Sequence, residues 1–265
     1  MLDYIDGEDK TLRLYIVIAL FLLLLAFNAQ AASVNLGTAA NFGLLGGSTV
    51  TNAVPGTVIL GDVGVAPGSA VTGFLPGTIT GTIHINDAVA YQAQNDLTAA
   101  YLFAEDASSP IGHDLTGIDL GTFNAGNVLL SGVYSFSSSA GLTGNLALDA
   151  QGNQNAFWIF QIGSTLTTAT NATVTLINGA NPSNVFWQVG SSATIGTGHV
   201  FMGTIMALTS ITLNGGTLNG RALARNGAVT VSSSELVNTP SVPEPASFAV
   251  LGTGLFSILA FRRRK

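Results

Sequence analysis

Between Ser33 and Glu235 the chain alternates small polar residues with β-branched apolar ones in short runs, and glycine or Asn-Gly breaks one run from the next. Gly56-Thr57-Val58-Ile59-Leu60, Thr78-Ile79-Thr80-Gly81-Thr82-Ile83-His84-Ile85, Ala172-Thr173-Val174-Thr175-Leu176 and Ala228-Val229-Thr230-Val231-Ser232 are examples. Successive side chains of a strand point to opposite faces, so each run predicts a strand with one buried and one wet face. The runs also echo one another. Phe157-Trp158-Ile159-Phe160-Gln161-Ile162-Gly163-Ser164 returns as Val185-Phe186-Trp187-Gln188-Val189-Gly190-Ser191-Ser192, and each copy leads into a threonine-rich strand. A degenerate repeat of about 25 to 30 residues predicts stacked coils, each burying its apolar face against its neighbours. A sandwich of hairpins gives a similar signal and stays open at this level.

One segment has a different period. From Asp87 to Ala107, the residues Val89, Ala93, Leu97, Ala100, Tyr101 and Ala104 recur three and four apart, which predicts an amphipathic helix against the strands. Asn86 is the expected N-cap, with Asp87 in the first turn, and Ser108-Ser109-Pro110 is the stop.

The two ends read differently from the middle. Leu12 to Phe27 is apolar, preceded by Lys10 and Arg13 and followed by Ala29-Gln30-Ala31, the small-x-small pattern of a signal peptidase site. This predicts a signal peptide over 1–31, cleaved after the Ala29 and Ala31 pair; an uncleaved anchor is the alternative. The acidic stretch Asp3 to Asp9 is atypical of such a leader and leaves the start codon open. At the other end Pro243-Glu244-Pro245 precedes an apolar stretch that closes on Arg262, Arg263, Arg264 and Lys265. That order resembles the PEP-CTERM sorting signal of Gram-negative bacteria, with the basic cluster held in the cytoplasm; a plain tail anchor is its alternative. The resemblance implies processing by an exosortase, transient membrane anchoring over 241–265, and delivery to the outside or the outer cell surface. The folded domain is then expected over 32–240.

Composition narrows the function. The chain has 265 residues, 47% hydrophobic and only 8% charged, enough for one sizeable core. Between Ala32 and Val242 there are nine acidic residues, two arginines (Arg221 and Arg225) and no lysine, so nucleic acid is not an expected partner. No cysteine is present. His84, His113 and His199 lack metal-ligand spacing, and Asp114 with Asp119 lacks that of a calcium loop; no metal or cofactor is called for. Asp62, Asp114, Asp119 and Asp149 show no evident acid–base pair, so the polysaccharide-cleaving chemistry found on other β-helices is not expected, and the chain is read as a non-enzyme. Trp158, Phe160, Phe186 and Trp187 lie in apolar runs and read as core.

Further residues carry a family resemblance: Val133-Tyr134, Leu142-Thr143-Gly144-Asn145-Leu146, Phe160-Gln161-Ile162-Gly163, Asn184-Val185-Phe186-Trp187-Gln188-Val189-Gly190 and Asn219-Gly220-Arg221-Ala222-Leu223-Ala224. Together, over roughly Ser33 to Leu236, they resemble the microbial ice-binding family. The resemblance implies a mainly β fold: a triangular, discontinuous right-handed β-solenoid with one long α-helix alongside, to which the two ends of the chain are expected to add apolar helices. It also implies an ice surface as partner, for a chain expected to be monomeric.

Ice is an uncharged, repeating array of oxygens, and a rigid repeating face of short hydroxylated side chains suits it. Threonine is stiff at χ1 and gives up little rotamer freedom on ordering. With Leu166, Ile195, Ile211, Leu213, Val229 and Val231 pointing inward, the outward positions are Thr165, Thr167, Thr194, Ser210, Thr212, Thr230 and Ser232, with Thr143 in an earlier coil. These eight are the candidate ice-binding face. Thr168-Ala169-Thr170-Asn171 and Thr194-Ile195-Gly196-Thr197 match a loose Thr-small-x-Thr/Asn pattern, the second imperfectly. Threonine is also simply a good outward strand residue. A surface or exopolysaccharide-matrix protein, or an adhesin without ice affinity, is therefore the second hypothesis, with exopolysaccharide as a further candidate partner.

Overall fold

Every strand pairing among the described residues is parallel, which excludes the sandwich of hairpins. The computed structural model describes residues 34–74, 77–110, 113–122 and 126–240. The expected signal peptide with Ala29 and Ala31, the apolar terminal segments, and Pro243, Glu244, Pro245, Arg262, Arg263 and Arg264 lie outside them.

The strands form three walls, which the chain visits in the order one, two, three in each full coil. Wall one stacks Val128–Leu130, Asn145–Asp149, Thr173–Ile177, the first halves of His199–Ala207 and Gly216–Ala224, then Glu235–Asn238, Val58–Leu60 and Thr78–Ile79. Wall two stacks Gly132–Phe136, Trp158–Ile162, Val185–Val189, the second halves of the same two long strands, then Phe42–Gly46, Asp62–Val65 and Ile83–Ile85. Wall three stacks Ala140–Leu142, Leu166–Thr168, Ala193–Ile195, Ile211–Leu213, Val229–Val231, Thr49–Asn52 and Ala70–Thr72.

The echo in the sequence is a coil repeat. Phe160 lies beside Trp187 and Gln161 beside Gln188, each one full coil further along the chain. The repeat then contracts, for Trp187 pairs with Ile205 and Ile205 with Ala222. The reason is the corner between walls one and two. In the shorter coils one nine-residue strand bends through it without a loop. Gly203 turns there at φ +101°, and a Cβ on Gly220 would lie 1.8 Å from the Gly203 carbonyl oxygen, so only glycine fits the next coil.

The stack is discontinuous. Strand Phe42–Gly46 of the N-terminal end and strand Glu235–Asn238 of the C-terminal end both pair with Gly216–Ala224, so one coil is assembled from the two ends of the domain. Arg221 ties them. It is 1% exposed and donates from Nε to the Ala40 carbonyl (2.8 Å) and from Nη2 to the Pro240 carbonyl (2.6 Å). Burial pushes its pKa down to about 10, which leaves it charged at neutral pH. A second buried tie skips a coil: His199 Nε2 lies 2.9 Å from Glu235 Oε1, and Gly216, which pairs with both residues, supplies no side chain to separate them. His199 Nδ1 donates to the Gly196 carbonyl (2.8 Å).

The inside of the coils is one apolar cluster that contains Trp158, Phe160 and Trp187. Down its length Tyr134, Phe160 and Trp187 stack, with ring centroids 5.8 and 3.9 Å apart, and Trp187 Nε1 donates to the Met202 carbonyl (2.9 Å). A second cluster lies between wall two and helix α1 (Ala88–Glu105), where Val133, Ile159, Phe186, Met206 and Leu223 meet Ala93, Leu97, Ala100, Tyr101 and Ala104.

The helix corrects the expected capping. Asn86 is not the N-cap; it sits at φ +50° one residue earlier, and the Asp87 side chain accepts the Ala90 N–H (2.8 Å). Asn tolerates the left-handed turn by which the chain leaves Ile83–Ile85, which frees Asp87 for the cap. Val89 is 40% exposed, because the stripe begins at Ala90 and runs through Gln94, whose amide reaches the Ala224 carbonyl (3.1 Å). At the other end Gln161 Nε2 donates to the carbonyls of Ala104, Glu105 and Ala107, closing the helix from wall two.

Two outcomes follow from these contacts. Arg221→Leu strips a charged donor from the Ala40 and Pro240 carbonyls and should cost about 2 kcal/mol in chemical unfolding. The Asp87 carboxyl is held below the usual carboxylate range by the Ala90 N–H and by His84 beside it. Its folded-state pKa is depressed, so its contribution is present above the ordinary carboxylate pKa and is lost as pH falls through the lowered one. Asp87→Ala should therefore lower the melting temperature more at pH 7 than at about pH 2, measured by circular dichroism; an equal decrement at both would show that the charge contributes nothing.

Candidate functional site

Wall three alternates strictly. Leu166, Ile195, Ile211, Leu213, Val229 and Val231 are each 0% exposed and point into the core. The residue between them in each strand must point out. Register then aligns these outward residues across all seven strands: Gly141, Thr167, Thr194, Thr212, Thr230, Thr51 and Thr72, each paired with the next. Six threonines in adjacent strands make a column of about 24 Å at the usual strand spacing of about 4.8 Å.

Four of the eight residues expected on this face, Thr167, Thr194, Thr212 and Thr230, lie in that central column. Thr165 and Ser210 lie two residues before it, in a flanking row with Ser139, Ser192 and Thr49. Thr143 and Ser232 lie two residues after it, beside Ala53, Ala169, Gly196 and Asn214. Thr143 thus does not extend the column. Gly141 holds that place, and Thr143 Oγ1 donates to Asp119 Oδ1 (2.9 Å) in the half-coil that closes this end. Thr168, which opens one of the loose motif matches, is buried at 4% exposure, and its hydroxyl accepts the Gly196 N–H (2.9 Å).

Hydrogen bonding separates the rows further. In the flank, Thr165 Oγ1 donates to Ser139 Oγ (2.8 Å), Ser192 and Thr209 hydroxyls share a bond of 2.6 Å, and Ser210 Oγ accepts the Ala228 N–H (3.1 Å). Those hydroxyls are occupied by the protein. In the central column Thr72 and Thr51 hydroxyls are 3.4 Å apart, a long contact, while those of Thr167, Thr194, Thr212 and Thr230 make no hydrogen bond within the described residues and face solvent. Four successive methyl–hydroxyl pairs are therefore free to order water at the strand repeat.

Thr51 and Thr72 are missing from the sequence reading of the face. Their signal is the same Val-Thr alternation, in Val50-Thr51 and Val71-Thr72, but their place beside Thr230 arises only from the discontinuous stacking that sets an N-terminal coil next to a C-terminal one.

The other walls lack such a column. Wall two is covered by α1. On wall one the corresponding outward column reads Asn145, Thr173, Val200, Thr217, Leu236, Val58, Thr78, changing character at almost every coil. No charged residue occurs in the seven strands of wall three. The three histidines occupy separate places: His84 beside Asp87 (2.8 Å), His113 stacked on Tyr134 at 4.5 Å, and His199 on Glu235. Arg225 lies over the Tyr101 ring (4.6 Å) and reaches Thr98 Oγ1 (3.4 Å). No helix among the described residues is long and apolar enough to cross a membrane.

The ice-binding-like family model matches residues 44–237, which takes in all three walls and the helix. The chain belongs to the ice-binding-like family. It is 53% identical to an ice-binding protein of a Nostoc species (strain HG1), over 93% of this chain and 95% of that one. It is 34% identical to an ice-binding protein of a Leucosporidium species (strain AY30), over 80% of this chain and 86% of the other. The crystal structure of an ice-binding protein from the Antarctic ascomycete Antarctomyces psychrotrophicus superposes with a TM-score of 0.74 at 38% identity, over 80% of this chain and all of the other. One from an Antarctic biological consortium gives 0.72 at 44% identity, over 78% and 92%. Residues 241–265 match the PEP-CTERM protein-sorting motif, a signal for export and cell-surface sorting that an exosortase processes. This member of the ice-binding-like family thus joins the solenoid directly to a sorting tail.

The division between occupied and free hydroxyls is open to measurement. Thr165→Val keeps the β-branched shape but breaks the bond to Ser139 and should cost about 1 kcal/mol, whereas Thr167→Val removes a hydroxyl with no protein partner and should leave unfolding within about 0.5 kcal/mol of the parent. Equal costs in urea unfolding would mean that the two rows do not differ.

Proposed function

We propose that the chain adsorbs to ice through wall three, with Thr51, Thr72, Thr167, Thr194, Thr212 and Thr230 as the contact column and Thr143, Thr165, Ser210 and Ser232 as its flanks. The observation that carries the reading is the unbroken, uncharged column of six threonines on wall three, which the helix does not cover. The mechanism is adsorption: waters held between the methyl–hydroxyl pairs become part of the ice lattice, and growth stalls between bound molecules. Stiff side chains lose little entropy in doing so, and no catalytic step or cofactor is involved.

The same reading takes residues 1–31 as a signal peptide cut after Ala29-Gln30-Ala31, 32–240 as the domain, and 241–265 as a tail that anchors the protein transiently through an apolar helix before exosortase processing. Pro243, Glu244, Pro245 and the Arg262, Arg263 and Arg264 cluster are its recognition elements. The domain acts outside the cell or on its surface, as a monomer. Right-handed coils are the expected hand, since parallel crossovers take it almost without exception. A matrix role, with exopolysaccharide as partner and no affinity for ice, is the competing reading, supported by the sorting motif.

The test uses residues 32–242. At micromolar concentration the domain should inhibit ice recrystallisation and shape crystals; no effect would leave the matrix role. Thr194→Tyr and Thr212→Tyr should each abolish the effect without unfolding. Thr51→Tyr should impair it as well, although Thr51 is remote in sequence, because it continues the same column. Full activity in all three would move the contact off wall three.

A further inference from the structure

Both ends of the domain pass through one edge of the solenoid, and it is the edge farthest from the threonine column. Each full coil runs from wall one to wall two to wall three. The C-terminal strand Glu235–Asn238 ends on wall one, and the N-terminal strand Phe42–Gly46 begins on wall two. The corner between them is therefore shared by walls one and two and is the one corner that wall three does not touch. Arg221 pins both segments there, through the carbonyls of Ala40 and Pro240. A fully buried guanidinium bonded to both segments fixes the point from which the chain departs toward its sorting tail.

The leash after that point is short. Pro240 is followed by the sorting motif at 241–265, with its Pro-Glu-Pro at 243–245. Three residues can span at most about 11 Å. After processing at the Pro-Glu-Pro end the holding point lies within that reach of the corner, and the apolar stretch, which begins after Pro245, starts within about 22 Å of it.

We infer that the tail holds the domain with this corner toward the cell and the threonine column directed away, so that the surface-held protein attaches the cell to ice. The proposal rests on the ice reading of wall three for its partner, but the orientation stands on the coil geometry alone. A domain tethered from wall three, or from either corner flanking it, would hide the column against the surface that carries it. A tether at the opposite corner leaves the column free and places the helix-covered wall and wall one at the sides.

The chain has no cysteine, so a single introduced thiol reports one position. Full-length chains carrying Asn41→Cys, on the exposed residue between Ala40 and strand Phe42–Gly46, or Thr194→Cys, within the column, are displayed on cells that process the tail. Each is reacted with a bulky, membrane-impermeant maleimide, and the rate is divided by that of the same chain after solubilisation. The expected result is a ratio near one for Thr194→Cys and a ratio several-fold lower for Asn41→Cys. Equal ratios, shielded or not, or a lower ratio for Thr194→Cys, would overturn the orientation. Cells carrying the labelled Thr194→Cys chain should also lose adhesion to an ice surface that parent cells show. Undiminished adhesion after complete labelling would sink the ice reading of wall three while leaving the orientation intact, and absence of adhesion in parent cells would overturn the attachment role.

Discussion

The inward side chains of wall three, among them Leu166, Ile195, Ile211, Leu213, Val229 and Val231, are fully buried and overlay one another from coil to coil, and this overlay fixes everything on the outside. A slip of one residue in any strand would turn its apolar pair to solvent and its threonine into the core. The register is thus held by several kilocalories per mole of buried hydrocarbon per coil, at about 25 cal/mol per Å², and the outward threonine inherits that precision without making a bond of its own. The wall needs no hydroxyl ladder for stability, which is why four hydroxyls can stay unpaired and available to water.

The same constraint explains the buried polar groups. A coil built from two chain ends has a seam, and a seam in a stack that depends on register is where slippage would begin. Arg221 bridges it with hydrogen bonds to carbonyls from either side, and His199 reaches Glu235 across the glycine of the intervening coil. Both lie at the coils adjoining the seam, and both would be costly to bury if their partners shifted. Thr51 continues the column of Thr230 only because this junction is held.

The sequence carried the periodicity and therefore the wall alternation, the helix stripe and the echo between Phe160-Gln161 and Trp187-Gln188, since these are local consequences of which residues must be buried. It could not reveal the order of coils along the axis. Nothing near Val50-Thr51 says that its neighbour is Val229-Thr230, because the pairing is imposed by the path of α1, which carries the chain from one end of the stack to the other. Within neighbouring coils, too, register decides which residue joins the column, and Thr143 of the expected face does not. It has the right residue type in the right coil, but the register assigns the place to Gly141, and Asp119 engages the Thr143 hydroxyl. The contraction of the repeat beyond Trp187 was equally hidden: it depends on Gly203 and Gly220 letting two strands bend through a corner that other coils turn with a loop.

The outward composition of each wall follows from what it faces. Wall two, under the helix, combines an apolar patch with amides that satisfy backbone or side-chain groups on the helix: Gln161 closes its carbonyl end and Gln188 donates to the Tyr101 hydroxyl (2.8 Å). Wall one faces water and has no uniform outward column, mixing Asn145 and Thr217 with Val200 and Leu236 at equivalent positions. A wall that met only water would be under no pressure to repeat. Wall three repeats the same residue in six of seven strands and admits no charge, in a chain whose folded part carries nine carboxylates elsewhere. Stability does not ask for that regularity, so it points to a partner that is itself a repeating, neutral lattice.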